Sequence, residues 1–176
     1  MTYTTVAAGD PIYAVTINDL IGYGPNRPAG RMVQTVAQTG IANATQTAVT
    51  FTTEDYDTHN FHSTSSNTSR VTPTVAGLYT VRGAVSVIGQ TDYTFVESTL
   101  RFNGATYMAP ATRLTPSATT GTLIVPVAAS IACNGTTDYF ELTFRLTRGG
   151  AGTSGTVISL QFASVLEWEL SRSATS

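Results

Sequence analysis

The sequence predicts a single all-β domain of antiparallel strands, and three observations carry that prediction. Apolar and polar residues alternate with a period of two along segment after segment. The segments are punctuated by Asn-Gly and Gly-rich turns, the usual connectors of antiparallel neighbours. Threonine, whose branched Cβ suits a pleated surface, makes up roughly a fifth of the chain. Several such strands in a chain of 176 residues close as one sandwich or barrel.

The strands follow in order. Met32 to Gln38 is the first run, and Thr47, Val49 and Phe51 alternate after it. Leu78 to Ile88 puts Tyr79, Val81, Val85 and Val87 on one face and Thr80, Arg82 and Ser86 on the other. Phe95 to Phe102 ends at the turn Asn103-Gly104. Leu123, Val125, Val127, Ala129 and Ile131 alternate up to a second turn, Asn134-Gly135. Phe140, Leu142, Phe144 and Leu146 oppose Glu141, Thr143 and Arg145. A Gly-rich hairpin spans Gly149 to Gly155, and the last strand aligns Ile158, Leu160, Phe162, Leu166, Trp168 and Leu170. Trp168, Tyr79, Phe95, Phe140, Phe144 and Phe162 are the expected aromatic core.

Composition removes several function classes. The net charge is -2 and the basic residues are nine scattered arginines, so no patch is built to neutralise phosphates and no nucleic-acid partner is expected. The absence of lysine excludes a P-loop and Schiff-base chemistry. A single cysteine, Cys133, allows neither an intrachain disulfide nor a cysteine zinc site. No apolar stretch approaches the length of a membrane span. The first residues carry no basic region followed by an apolar one, so no secretory leader is expected and synthesis is placed in a host cytoplasm.

No catalytic constellation emerges. Gly-x-Ser-x-Gly is absent, and the carboxylates are spread singly along strands. His59 and His62, with Asp55 and Asp57 beside them, are the one group of residue types that could ligate a metal. Their i, i+3 spacing on an extended chain separates the two rings, so hydrogen-bonding histidines in a polar loop are the plainer expectation. No cofactor is expected. Asn43, Asn67 and Asn134 match the glycosylation pattern by chance in so Thr-rich a chain. The long irregular stretches 52–70 and 104–121 are of a length that usually binds something or packs on a neighbour.

The stretch Glu54 to Val85, with its Pro73-x-x-x-Gly77-x-Tyr79 turn feeding a long strand, resembles the C1q/TNF-like jelly-roll family. Leu100 to Gly104, Thr137 to Phe144 and Leu160 to Leu170 are similar to later strands of that family. The resemblance covers residues 31–172 and implies a jelly-roll β-sandwich that assembles as a homotrimer. The opening Ala8 to Leu20 and the block Asp57 to Ser63 resemble tailed-bacteriophage virion proteins carrying this domain. The chain departs from secreted relatives in lacking a collagen-like stalk.

These readings divide the chain into an N-terminal arm at 1–30, a jelly-roll domain at 31–172 and a tail at 173–176. The resemblance implies a capsid decoration protein on the outer surface of the virion, bound to the major capsid protein. The alternative is a minor tail or fibre-tip protein that binds a host receptor. Ile12, Tyr13, Val15, Ile17, Leu20 and Ile21 are too many apolar residues for a solvated leader, and are expected to attach the protein to the virion. Phe162, Ala163, Val165 and Leu166 make both faces of the last strand apolar, and are expected to lie in the trimer interface.

Overall fold

The computed structural model describes residues 27–88, 93–108, 112–114, 122–149 and 164–173. Eleven strands are formed among them: β1 (Ala29–Val33), β2 (Gln46–Ala48), β3 (Thr53–Asp57), β4 (Arg70–Val71), β5 (Gly77–Ile88), β6 (Tyr93–Phe102), β7 (Thr106–Tyr107), β8 (Thr112–Leu114), β9 (Thr122–Cys133), β10 (Phe140–Arg148) and β11 (Val165–Ser173).

They build two sheets. One has five strands in the order β3-β1-β11-β5-β9. The other has six, with β2, β10, β6 and β7 in line, β4 beside β10 and β8 beside β6. Every pairing is antiparallel, and sequential strands alternate between the sheets at several crossings. This is the jelly-roll β-sandwich the sequence leads one to expect.

The alternation puts one face of each strand into a shared core. Tyr79, Val81, Val85 and Val87 fill it from β5, and Phe140, Leu142, Phe144 and Leu146 from β10. Four rings form a chain through its middle. Phe61 and Tyr79 lie 6.1 Å apart, Tyr79 and Phe140 6.5 Å, and Phe140 and Trp168 6.4 Å, spacings at which tilted and edge-on rings attract. Trp168 closes this row against Gly30, where a Cβ would collide with the indole ring. A glycine is therefore required for β1 to pass that close to β11.

The outward face of the six-stranded sheet buries two carboxylates, and both are paired as burial of a charge demands. Glu97 accepts from Arg145 at 3.0 Å, and Glu141 accepts from Ser69 Oγ at 2.7 Å and from Arg70 at 3.4 Å.

Two expectations are corrected here. The run Met32 to Gln38 is not one strand: β1 ends at Val33. Beyond it, Gln34 N–H still reaches Ser164 O at 2.8 Å, but the chain then turns away under side-chain control. Gln38 Oε1 accepts from Gln34 Nε2 and from Thr50 N–H, while its Nε2 donates to Ala48 O. A glutamine amide thus supplies bonds that a continued strand would have made. The domain boundaries also shift. β1 begins at Ala29, Pro28 O accepts from Leu170 N–H at 2.8 Å, and β11 runs to Ser173, so sheet residues extend past both ends of 31–172.

Candidate functional site

The outer face of the five-stranded sheet falls into two unlike halves. Over β3, β1 and β11 it is charged. Arg31 pairs with Asp55, and Arg27 stands 3.9 Å from Glu169 and donates to Leu170 O. Tyr56 sits among these charges; partial burial, then Glu167, push its hydroxyl above the ordinary tyrosine range.

Over β5 and β9 the face is small and nearly uncharged. The register sets Leu78 beside Ala132, Thr80 beside Ser130, Arg82 beside Ala128, Ala84 beside Pro126 and Ser86 beside Ile124. Arg82 is the one charge in these rows, and no Asp, Glu, Lys or Arg occurs anywhere in 114–137. Ile124 is 49% exposed and Leu78 36%, both large apolar side chains facing outward. They face outward because their neighbours Tyr79, Val125 and Val127 occupy the core side of the same strands. This face is built mostly of small, uncharged side chains, with Thr80 and Ser130 among its alanines. It can meet another protein surface closely and exclude water from it.

The histidine-bearing loop lies at the β3 edge. His62 is drawn inward: its side chain has no exposed surface, with Nδ1 2.6 Å from Glu54 Oε1 and Nε2 3.1 Å from Thr68 O. Asp57 spends its carboxylate on the loop backbone, accepting from His59 N–H at 3.1 Å and His62 N–H at 2.9 Å. Asp55 is held by Arg31. His59 Nδ1 lies 2.9 Å from Thr58 Oγ1, and its ring tilts over Phe61 at 5.6 Å. The four residues considered as metal ligands are thus committed to other partners, and among the described residues no group of three or more His, Cys, Asp and Glu could hold a metal ion. Glu54 is one of the acidic residues that flank the histidines in sequence, but its pairing with His62, eight residues on, was not legible, because nothing in a strand's spacing shows where the following loop folds back.

The residues expected in a trimer interface separate. Leu166 is fully buried in the chain's own core, alternating with Trp168 and Leu170, so it has no surface to offer a partner. Val165 points the other way, half-buried on the outer face, where it continues the row of Ala84 and Pro126. Phe162 and Ala163 lie outside the described residues, as do Ile12, Tyr13, Val15, Ile17, Leu20 and Ile21 of the arm. Leu78 and Ile124 were missed as surface residues, although strand parity marks both as outward.

No family model matches the chain, and no curated protein does. Solved structures do match in fold. The globular domain of zebrafish complement 1qA protein aligns with a TM-score of 0.58 at 15% identity, over 84% of this chain and 99% of that one. Murine APRIL at pH 8.5 aligns with a TM-score of 0.56 at 9% identity, over 82% and 99%. A murine APRIL structure at pH 5.0 gives 0.56 at 10% identity, over the same shares. The fold is therefore C1q/TNF-like.

Proposed function

We propose that this chain is a non-enzymatic bacteriophage structural protein that works as a homotrimer, decorating the outer capsid surface and clamping neighbouring capsid subunits. The observation that carries the assembly is the face of β5 and β9, where Ile124 and Leu78 stand exposed among small residues and Arg82 is the one charge. Left in water, such a face invites association, and a closed trimer covers it with identical copies. The virion role rests on the resemblance of the arm and of the Asp57 to Ser63 block to phage virion proteins. A trimer brings three equal surfaces and three arms to one capsid site, so weak contacts reinforce one another through effective concentration.

Sedimentation of the pure protein tests the assembly. A trimer at micromolar concentration is expected, and a monomer both in solution and on the particle overturns it. Imaging virions that carry a labelled copy tests the location. Label on the head surface is expected; label confined to the tail replaces this reading with a minor tail or fibre-tip protein.

A further inference from the structure

Two Asn-Gly steps, far apart in sequence, meet at one end of the sandwich, and Asp138 holds them both. Its Oδ1 accepts from Asn103 Nδ2 at 2.9 Å, and its Oδ2 accepts from Asn134 N–H at 2.8 Å. Asn103 is engaged twice more with the same loop: Oδ1 accepts from Tyr139 N–H at 2.9 Å, and its own N–H donates to Tyr139 O at 2.9 Å. The turn it belongs to is left-handed at both central residues, with φ of 51° at Asn103 and 70° at Gly104.

Asn-Gly is a chemically weak step, because glycine lets the next backbone nitrogen approach the amide. From these contacts we infer that Asn103 is a latent deamidation site, gated by Asp138, and that its conversion opens this end of the molecule irreversibly. In the reaction the Gly104 nitrogen attacks Asn103 Cγ. A new C–N bond forms, the bond from Cγ to Nδ2 breaks, and the proton given up by the Gly104 nitrogen is relayed through water to the leaving nitrogen, which departs as ammonia. Water then opens the cyclic imide to aspartate or isoaspartate. One water enters, one ammonia departs, and nothing is oxidised or reduced.

The folded turn opposes the first step. In the left-handed conformation the following nitrogen stands roughly anti to Cβ, so the ring closes only after the turn is left. Leaving it breaks the bonds to Asp138 and Tyr139 together. The product removes the way back. An aspartate at 103 sets a second carboxylate where Nδ2 had donated to Asp138, turning an attraction into like-charge repulsion at hydrogen-bond distance. Asn134 differs in consequence. Its Oδ1 accepts from the N–H groups of Thr136, Thr137 and Asp138, and an aspartate there keeps that acceptor.

The experiment is peptide mapping of the full-length protein held in mildly alkaline buffer, folded and in urea, with ammonia loss followed at Asn103. The folded protein is expected to react at least about tenfold more slowly than the unfolded chain, since reaction waits on local opening. Asp138→Ala is expected to bring the folded rate close to the unfolded one. Equal rates for folded and unfolded wild type overturn the inference, as does a folded Asp138→Ala protein that reacts no faster than wild type. Should Asp138→Ala fail to fold, Asn103→Asp supplies the second reading: limited proteolysis within 134–139 is expected to accelerate, and an unchanged cleavage rate overturns the proposed opening.

Discussion

His62 Nδ1 lies 2.6 Å from Glu54 Oε1, while the other ring nitrogen faces Thr68 O at 3.1 Å. Both partners are acceptors unless Glu54 is protonated, and a neutral imidazole has only one N–H. Full use of both contacts therefore needs a second proton, on the ring or on the carboxyl. The contacts tie β3 to the loop that leads into β4, and an isolated bridge from His62 to Val71 completes the joint.

The first prediction compares the two histidines. His62→Ala empties a fully buried side-chain position and removes the partner of Glu54 and Thr68 O, and is expected to destabilise the fold by about 1–3 kcal/mol. His59→Ala, at a half-exposed position, is expected to stay within about 0.5 kcal/mol of wild type. Urea unfolding of the two variants checks this, and equal losses would sink the distinction.

The aromatic row supports a second prediction. Trp168→Ala or Tyr79→Ala empties a large core position, and each is expected to cost roughly 3–5 kcal/mol. Tyr79→Phe keeps the ring and loses only the hydroxyl that donates to Val75 O at 2.7 Å, so about 1 kcal/mol is expected. A loss under about 1 kcal/mol at Trp168→Ala would contradict its position in the core.

A third prediction concerns Cys133. Burial first, and Asp138 second, push its thiol up to about 12 from 9.0. The unfolded chain therefore releases this proton at lower pH than the folded one. The contribution to stability is whole below pH 9.0 and falls as pH rises toward 12. A Cys133→Ala variant is expected to lose less stability than wild type across that interval. At neutral pH the folded thiol is expected to resist alkylation and to react once the chain unfolds. Rapid labelling of the native protein is the contrary result.

Much of the fold was legible because a two-residue period is a direct record of a sheet with one wet face. Val81, Val85, Leu142 and Phe144 could be assigned to the core on parity alone, and they are there. Parity fails where the backbone is held by side chains: nothing in Thr35 to Thr39 reveals that Gln38 will accept from Thr50 N–H and end the strand. It also misleads where apolar residues stand on neighbouring positions. Val165 and Leu166 read as two apolar faces, yet one fills the chain's own core and the other looks outward. The Asp138 clasp was beyond reach, since it depends on two turns separated by about thirty residues meeting in space.

Charge placed on the bare half of the five-stranded sheet gives a fourth prediction. Ile124→Glu and Ala132→Glu point outward on β9, away from Arg82, so neither disturbs the core. Each is expected to leave the unfolding midpoint within about 0.5 kcal/mol of the wild-type monomer value while dissociating the trimer, because three copies then bury like charges together. Sedimentation separates the outcomes. If either substituted protein remains a trimer, the interface lies elsewhere on the molecule.

The last prediction divides the chain between arm and sandwich, and the sheet dictates where to cut. A deletion through residue 30 would remove Gly30, the only residue small enough to fit beneath Trp168, along with Arg27 and Pro28, which bond to Leu170. Deleting 1–26 spares all of these, so the shortened chain is expected to fold with unchanged stability and to trimerise. Attachment is expected to fail. The arm's Ile12, Tyr13, Val15, Ile17, Leu20 and Ile21 can each contribute about 1.5–3 kcal/mol if buried against a capsid subunit. That is enough to offset an ordering cost of about 1–2 kcal/mol for each residue fixed, provided most of these side chains are covered. Particles lacking the protein, mixed with either form, provide the measurement. If the deletion binds with undiminished occupancy, the anchor lies on the sandwich, in the 52–70 or 104–121 stretches. If the deletion no longer trimerises, the arm belongs to the interface between protomers, and the division between an attaching arm and a self-assembling domain is wrong.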